Sequence, residues 1–225
     1  MNRETSAWGV LCALPQEFGS LGEHEQRRRT RAGLEIRELM IGGVPVLGCV
    51  SGVGKVLAAR AASVLITEGA TRGLLVVGTC GGLVRSLKVG ALVHCTRAHQ
   101  TDLGPREGRE VSSDPRLRAA WQRVLPGSEG WFLTADRPVL SLLRRLRLAR
   151  AFAGPCVAEM ETAAVGAVAH AAGVPWAALR AVTDAATPWG GASFHLHLPS
   201  QGPRAADSIP ALLRELEREP PAPYP

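Results

Sequence analysis

At 225 residues and 46% apolar content, the chain is long enough to bury a full hydrophobic core as one domain. No apolar run is long enough to span a bilayer, and Met1-Asn2-Arg3-Glu4-Thr5-Ser6 lacks the basic-then-apolar pattern of a secretory signal, so neither a membrane partner nor export is expected. The net charge of +6 is nearly all arginine, lysine occurring only at Lys55 and Lys88; with one Tyr and four Phe, base-stacking platforms are scarce and no nucleic-acid partner is expected.

Residues 7–14 form an apolar run that reads as a buried first strand. Pro15 suits the first turn of a helix, and Glu17 falls just past the strand's carboxyl end. The cluster Arg27-Arg28-Arg29 reads as a solvated, turn-like segment. Residues 33–40 alternate apolar and charged, Ile41-Gly42-Gly43 turns, and residues 44–50 are apolar, which together read as a hairpin with one wet face. Ser51-Gly52-Val53-Gly54-Lys55 leads into an Ala-rich helix over residues 56–68. This loop fails both phosphate-cradle motifs. The dinucleotide fingerprint needs a third Gly where Leu57 stands; the P-loop needs Gly at position 49, which is Cys49, and Ser or Thr where Val56 stands. What remains is a tight loop with free N–H groups at a helix start, a generic binder of anions or hydroxyls. Residues 74–77 form a buried strand that ends in Gly78-Thr79-Cys80-Gly81-Gly82, where the backbone can approach a ligand closely.

Residues 90–96 read as another strand, with His94 a core histidine satisfied by a neighbour. Residues 97–114 are polar and Gly-rich and read as a long loop; it carries His99 and Asp102, but no tight ligand spacing points to a metal. Asp114-Pro115 caps a helix reaching about Leu125, residues 131–134 form a short strand ending near Asp136, and Pro138 opens a helical stretch to about Arg150. After Gly154-Pro155, residues 156–158 read as a strand that hands over at Glu159-Met160-Glu161 to a buried helix closed by Gly173. An acidic first turn accounts for one Glu here. It accounts poorly for two flanking a Met inside so apolar a segment, because an unpaired buried carboxylate is costly. Residues 176–182 are a buried strand with Asp184 at its end, either an N-cap or a functional acid. Residues 185–202 read as a lid-like loop carrying Trp189, Phe194, His195 and His197. A closing helix over residues 205–217 follows, and the Pro-rich residues 219–225 read as a disordered tail outside a single domain of residues 1–218. The five cysteines, Cys12, Cys49, Cys80, Cys95 and Cys156, form no CxxC pair and read as buried reduced thiols of a cytoplasmic protein.

Acids therefore stand at three strand ends of an alternating α/β chain: Glu17, the Glu159/Glu161 pair and Asp184. No Ser elbow or Cys–His pair accompanies them. Acids without a metal suit a cationic transition state, such as cleavage at a sugar's anomeric carbon. At these residues the chain resembles the nucleoside phosphorylase/hydrolase superfamily, and within it the methylthioadenosine/adenosylhomocysteine nucleosidases. The resemblance rests on residues 9–17, 51–56, 78–83, 159–164 and 180–184, in that order.

The resemblance implies a three-layer α/β domain with a central mixed, twisted sheet flanked by helices. It implies a purine nucleoside as substrate, no cofactor, no metal and at least a homodimer. Asp184 would protonate the purine, Glu17 would activate water, and Glu161 would hold the ribose hydroxyls with Met160 against the sugar and Glu159 nearby. Thr79, Cys80 and Gly81 would line the attacking side of the sugar, while Val139 and Phe194 would cover the base. Related phosphorylases carry a phosphate-clamping Arg three residues before the Thr of the Gly-rich strand end; Val76 stands there, which favours water as nucleophile, although Arg97 or Arg109 of the long loop remain alternative clamps. Pro138 replaces the family's base-stacking aromatic. The segment Gln100-Thr101-Asp102-Leu103-Gly104 resembles futalosine hydrolases, which tend to carry Asn at the position of Asp184. A phosphorylase, a futalosine hydrolase-like enzyme and a catalytically silent nucleoside-binding protein are the alternatives.

Overall fold

The computed structural model describes residues 6–105 and 109–218, so the expectation for the tail at 219–225 lies outside the described residues. The strands are β1 (Trp8–Cys12), β2 (Glu25–Arg31), β3 (Leu34–Ile41), β4 (Val44–Val50), β5 (Gly73–Gly82), β6 (Leu92–Gln100), β7 (Glu110–Ser112), β8 (Ser128–Thr134), β9 (Cys156–Glu159) and β10 (Trp176–Asp184). The helices are α1 (Lys55–Thr67), α2 (Pro115–Val124), α3 (Leu142–Ala151), α4 (Thr162–Ala171), α5 (Gly190–Gln201) and α6 (Ile209–Arg218), with a 3-10 helix at Pro15–His24 and short 3-10 turns before α6.

All ten strands join one mixed sheet, ordered β10-β6-β8-β9-β5-β1-β4-β3-β2, with β7 on β6. A further β10–β5 pairing closes one half of the sheet on itself. The strands β1, β5 and β10 run parallel and side by side, so their carboxyl ends open on the same edge. Each is buried on both faces, which is why each reads as continuous apolar sequence rather than as an alternation. In β5, Leu74 and Val76 pack on one face with Ala58, Ala61 and Leu65 of α1 and Ala163, Val165 and Ala169 of α4. Leu75 and Val77 pack on the other with Trp121 of α2 and Ile209 and Leu212 of α6. The result is a three-layer α/β fold, as expected.

Four local expectations differ from the structure. Arg27, Arg28 and Arg29 lie in edge strand β2, not in a turn; Glu25, Glu35, Glu38 and Glu68 pair with its arginines, so charge that reads as solvated loop is spent on ion pairs within and beyond the strand. The long loop over residues 97–114 is strand at both ends, since β6 continues to Gln100, where it pairs with β8, and β7 (Glu110–Ser112) pairs with β6. The segment read as a lid contains helix α5, despite two glycines and Pro199 inside it, because Leu198 is buried and the Ser193 hydroxyl donates to the Thr183 carbonyl of β10 at 2.9 Å. Helix α3 starts at Leu142, four residues later than expected, with Ser141 as N-cap. All five cysteines are buried and free. Among the described residues no helix is long and apolar enough to cross a membrane.

Candidate active site

The turn after β1 and the 3-10 helix opened by Pro15 fold Glu17 back under the strand end, where it is 1% exposed. Its Oε2 accepts the amides of Ala13 and Leu14, both at 3.1 Å. Its Oε1 accepts the Thr79 amide at 2.8 Å and the Thr79 hydroxyl at 2.7 Å. The Glu17 carboxylate thus ties the end of β1 to the Gly-rich end of β5. Gly78 makes room for it: a Cβ there would stand 2.9 Å from Oε1, and φ is +152°.

At the join of β9 and α4 the two glutamates diverge. Glu159 accepts the amides of Glu161 at 2.9 Å and Thr162 at 2.7 Å, the Thr162 hydroxyl at 2.8 Å, and a short bond from the Thr134 hydroxyl. Its oxygens cap the first turn of α4. Glu161 accepts the Gly54 amide at 2.9 Å, so the Gly-rich loop before α1 binds a carboxylate rather than a phosphate. Its other oxygen accepts from Arg180 at 2.9 Å.

Arg180, in the middle of β10, is 2% exposed; Nη2 also lies 3.1 Å from Glu159 and Nη1 donates to the Thr79 carbonyl at 2.8 Å. Burial works against its charge, but Glu159 and Glu161 outweigh that and raise its pKa. Burial pushes the Glu161 carboxyl up to about 7, against the opposing pull of Arg180. Sequence reasoning did not single out Arg180, although an Arg inside an apolar strand is itself a signal, because a buried guanidinium requires carboxylate partners.

Asp184 ends β10. Its Oδ1 accepts the Ala186 amide at 2.7 Å and its Oδ2 the Thr183 hydroxyl at 3.1 Å. Burial raises its pKa above the ordinary carboxylate value. Gly81 and Gly190 flank it so closely that a Cβ on either would stand 3.0 Å from Oδ1.

A cavity of about 370 Å³ brings these groups together. Glu17, Thr79, Cys80 and Gly81 line it from the β1 and β5 ends, Glu159, Met160 and Glu161 from the β9–α4 join, and Asp184, Val139 and Phe194 from the segments around β10 and α3. Each residue to which the resemblance gives a catalytic or substrate-contacting role is therefore on its wall, together with Arg180. Cys80 is no nucleophile here: burial pushes its thiol well up, and it donates to the Ala181 carbonyl. Of the arginines considered as clamps, Arg97 pairs with Glu110 and lies over Trp131, and Arg109 donates to the Gln100 carbonyl; neither lines the cavity. Val76 points into the core. His94 is a core residue, its Nε2 2.9 Å from the Leu125 carbonyl. Among the described residues no His, Cys, Asp and Glu side chains gather as a metal site.

The model of the phosphorylase superfamily matches residues 7–216, the whole of this sheet and its strand-end acids. The chain belongs to that superfamily. Among its relatives, the 5′-methylthioadenosine/S-adenosylhomocysteine nucleosidase of Actinobacillus succinogenes is 29% identical, the match covering 93% of this chain and 99% of the relative. The same-named protein of Shewanella halifaxensis is 28% identical over 92% of this chain and 99% of its own. The Neisseria meningitidis nucleosidase, solved with methylthio-immucillin-A, superposes with a TM-score of 0.87 at 25% identity, covering 93% of this chain and 99% of that one. Helicobacter pylori futalosine hydrolase shares the fold, with a TM-score of 0.89 at 22% identity over 95% and 100% of the two chains. In this phosphorylase-superfamily member the acids on the cavity wall outnumber the cations: Glu17, Glu159, Glu161 and Asp184 stand against the guanidiniums of Arg180 and Arg137.

Proposed function

We propose that the chain hydrolyses the N-glycosidic bond of a purine nucleoside, with a 5′-thio-substituted adenosine as the substrate class and water as nucleophile. The observation that carries this is the convergence of Glu17, Glu161 and Asp184, from three separate strand ends, on one cavity. Asp184, its pKa raised above the ordinary carboxylate value by burial, is placed to hydrogen-bond purine N7 and deliver a proton to it as the base leaves. As the C1′–N9 bond breaks, the base leaves neutral. Glu17 takes a proton from water as the water oxygen bonds to C1′. Three of the donors to Glu17 are fixed backbone amides; the fourth, the Thr79 hydroxyl, rotates, so that bond is the one an incoming water replaces. Glu161 holds ribose hydroxyls, and Met160 packs against the sugar. The excess of acidic side chains over Arg180 and Arg137 favours the oxocarbenium-like transition state over the neutral substrate.

Water is preferred to phosphate because the position of the family's phosphate clamp is core Val76, and Arg180 is already shared between Glu159 and Glu161. A phosphate dianion beside Glu17 would meet like charge. Asp184, rather than Asn, favours an adenine leaving group over that of futalosine. The reading includes a cytoplasmic setting, supported by five free buried thiols. It also includes a homodimer or larger assembly, supported by exposed Val53 and Leu140 on the cavity wall and exposed Trp189 next to Gly190 of that wall, and readable by sedimentation.

The test is base release from methylthioadenosine, adenosylhomocysteine, futalosine and inosine, with and without phosphate. Phosphate-independent adenine release, lowered by orders of magnitude in Glu17→Gln and Asp184→Asn variants that keep the wild-type circular dichroism, is the expected result. A strict phosphate requirement with a sugar 1-phosphate product overturns hydrolysis in favour of phosphorolysis; tight binding without any base release overturns the enzyme reading altogether.

A further inference from the structure

Beside the cavity lies a charged cluster that the chemistry above does not use. The Lys55 ammonium stands 2.7 Å from Asp102 Oδ1 and 3.4 Å from Asp136 Oδ2. The backbone amide of the same lysine donates to Asp136 Oδ1 at 3.2 Å, and the Asp136 amide donates to Asp102 Oδ2 at 2.9 Å. The four contacts close a ring that joins three segments: the start of α1, the segment after β6 and the segment after β8. Lys55 grips Asp136 with both its side chain and its backbone, so the first turn of α1 cannot slide or rotate without losing both.

Two further facts connect this ring to the site. Gly54, next to Lys55, is the residue whose amide holds Glu161. Val53 on one side of the ring, and Arg137 and Pro138 on the other, line the cavity. Only two of the 26 basic residues are lysines. At position 55 a compact ammonium fits between two carboxylates from separate loops, where a planar guanidinium has a fixed fork.

We propose that Lys55, Asp102 and Asp136 act as a latch that positions Glu161 for the ribose hydroxyls by fixing the loop that carries Gly54. They are positioning residues, not catalytic ones, and the inference rests on the reading of Glu161 as the ribose-holding residue. An ion-pair cluster this close to solvent contributes little to overall stability, so its effect belongs in substrate binding.

The experiment compares a 5′-thioadenosine substrate with its 2′,3′-dideoxy analogue on wild type, Lys55→Met, Lys55→Arg, Asp102→Asn and Glu161→Gln. Lys55→Met is expected to raise KM for the ribonucleoside about tenfold. The kcat and the KM for the dideoxy analogue stay at the wild-type value, and Lys55→Arg, which keeps the charge but not the compact fit, returns only part of the loss. Asp102→Asn, which keeps the Lys55–Asp136 pair, gives a smaller change of the same kind and serves as the readout if Lys55→Met does not fold. If Lys55→Met lowers Tm yet leaves KM unchanged, or raises KM equally for both substrates, the latch is a structural contact only and the inference fails. If Glu161→Gln erases the preference for the ribonucleoside while Lys55→Met and Asp102→Asn do not, the latch alone falls. If Glu161→Gln leaves that preference intact, the ribose role of Glu161 falls and the latch with it.

Discussion

Replacing Arg180 with methionine keeps much of the side-chain volume and removes the charge that faces Glu159 and Glu161. Both carboxylates stay where they are, with side chains 0% and 4% exposed, and the Thr79 carbonyl loses its donor. Breaking a buried ion pair by deleting one partner costs about 3–5 kcal/mol. For a domain of this length each kcal/mol shifts Tm by roughly 2–4 °C, so the drop should be about 6–20 °C. The loss should also depend on pH in a defined direction. With the Glu161 pKa pushed up to about 7, the carboxyl is largely neutral in mild acid and largely ionised above that value. The penalty of Arg180→Met should therefore be larger in melts above neutral pH than in melts at mildly acid pH. Adding Glu161→Gln should recover part of the loss, because the pair is then removed rather than broken. Thermal melts of the three proteins on both sides of neutral pH test this. An Arg180→Met protein that melts within about 2 °C of wild type at both pH values would refute the idea that Arg180 balances the two glutamates.

Three other outcomes follow from the same geometry. If Asp184 acts as an acid, kcat falls as pH rises through its raised pKa; Asp184→Asn should be slower by about 10²–10⁴-fold and should lack that alkaline limb, and an unchanged limb in the variant would exclude the role. His94 is buried with Nδ1 unpartnered, and burial pulls its pKa below the ordinary 6.5. The unfolded chain therefore takes up this proton first, and the His94 contribution to stability is full above 6.5 and lost as pH falls below it. Glu161, with its raised pKa, acts in the opposite sense, so the informative measurement is the difference in urea midpoint between wild type and His94→Gln across that range. Gly190→Ala places a Cβ 3.0 Å from Asp184 Oδ1 and should lower kcat about tenfold, whereas Gly191→Ala meets no atom within 4 Å and serves as the control.

How much of this was readable in advance depends on where each element finds its partners. Strands β1, β5 and β10 are buried on both faces, so their identity is written in consecutive apolar residues, and the acids at their carboxyl ends stand out against that background. The elements read wrongly are those whose stability comes from elsewhere in the chain. Strand β2 reads as charge until Glu35, Glu38 and Glu68 are placed beside it. The polar end of β6 is strand because β7 and β8 pair with it. Helix α5 overrides two glycines and a proline by packing on β10, and Gly81 and Gly82 extend β5 because β9 and β10 supply its ladder. Local propensity carries none of that information.

The two glutamates of the β9–α4 join show the same limit at the scale of one site. Glu159 and Glu161 are two residues apart in nearly identical local sequence, yet one caps a helix and the other reaches across to a second loop. What separates them is Thr134 and Thr162 around the first and Gly54 beside the second, with Arg180 between them. The sequence nevertheless held the charge relation. Two carboxylates in an apolar helix start imply a buried cation, and an arginine in the apolar run of β10 implies buried carboxylates; the two anomalies explain each other. Glu17 and Asp184 add two further acids on the same cavity, against the guanidiniums of Arg180 and Arg137. That imbalance, more than any single side chain, is what the proposed reaction draws on, since its sugar becomes cationic as the base departs.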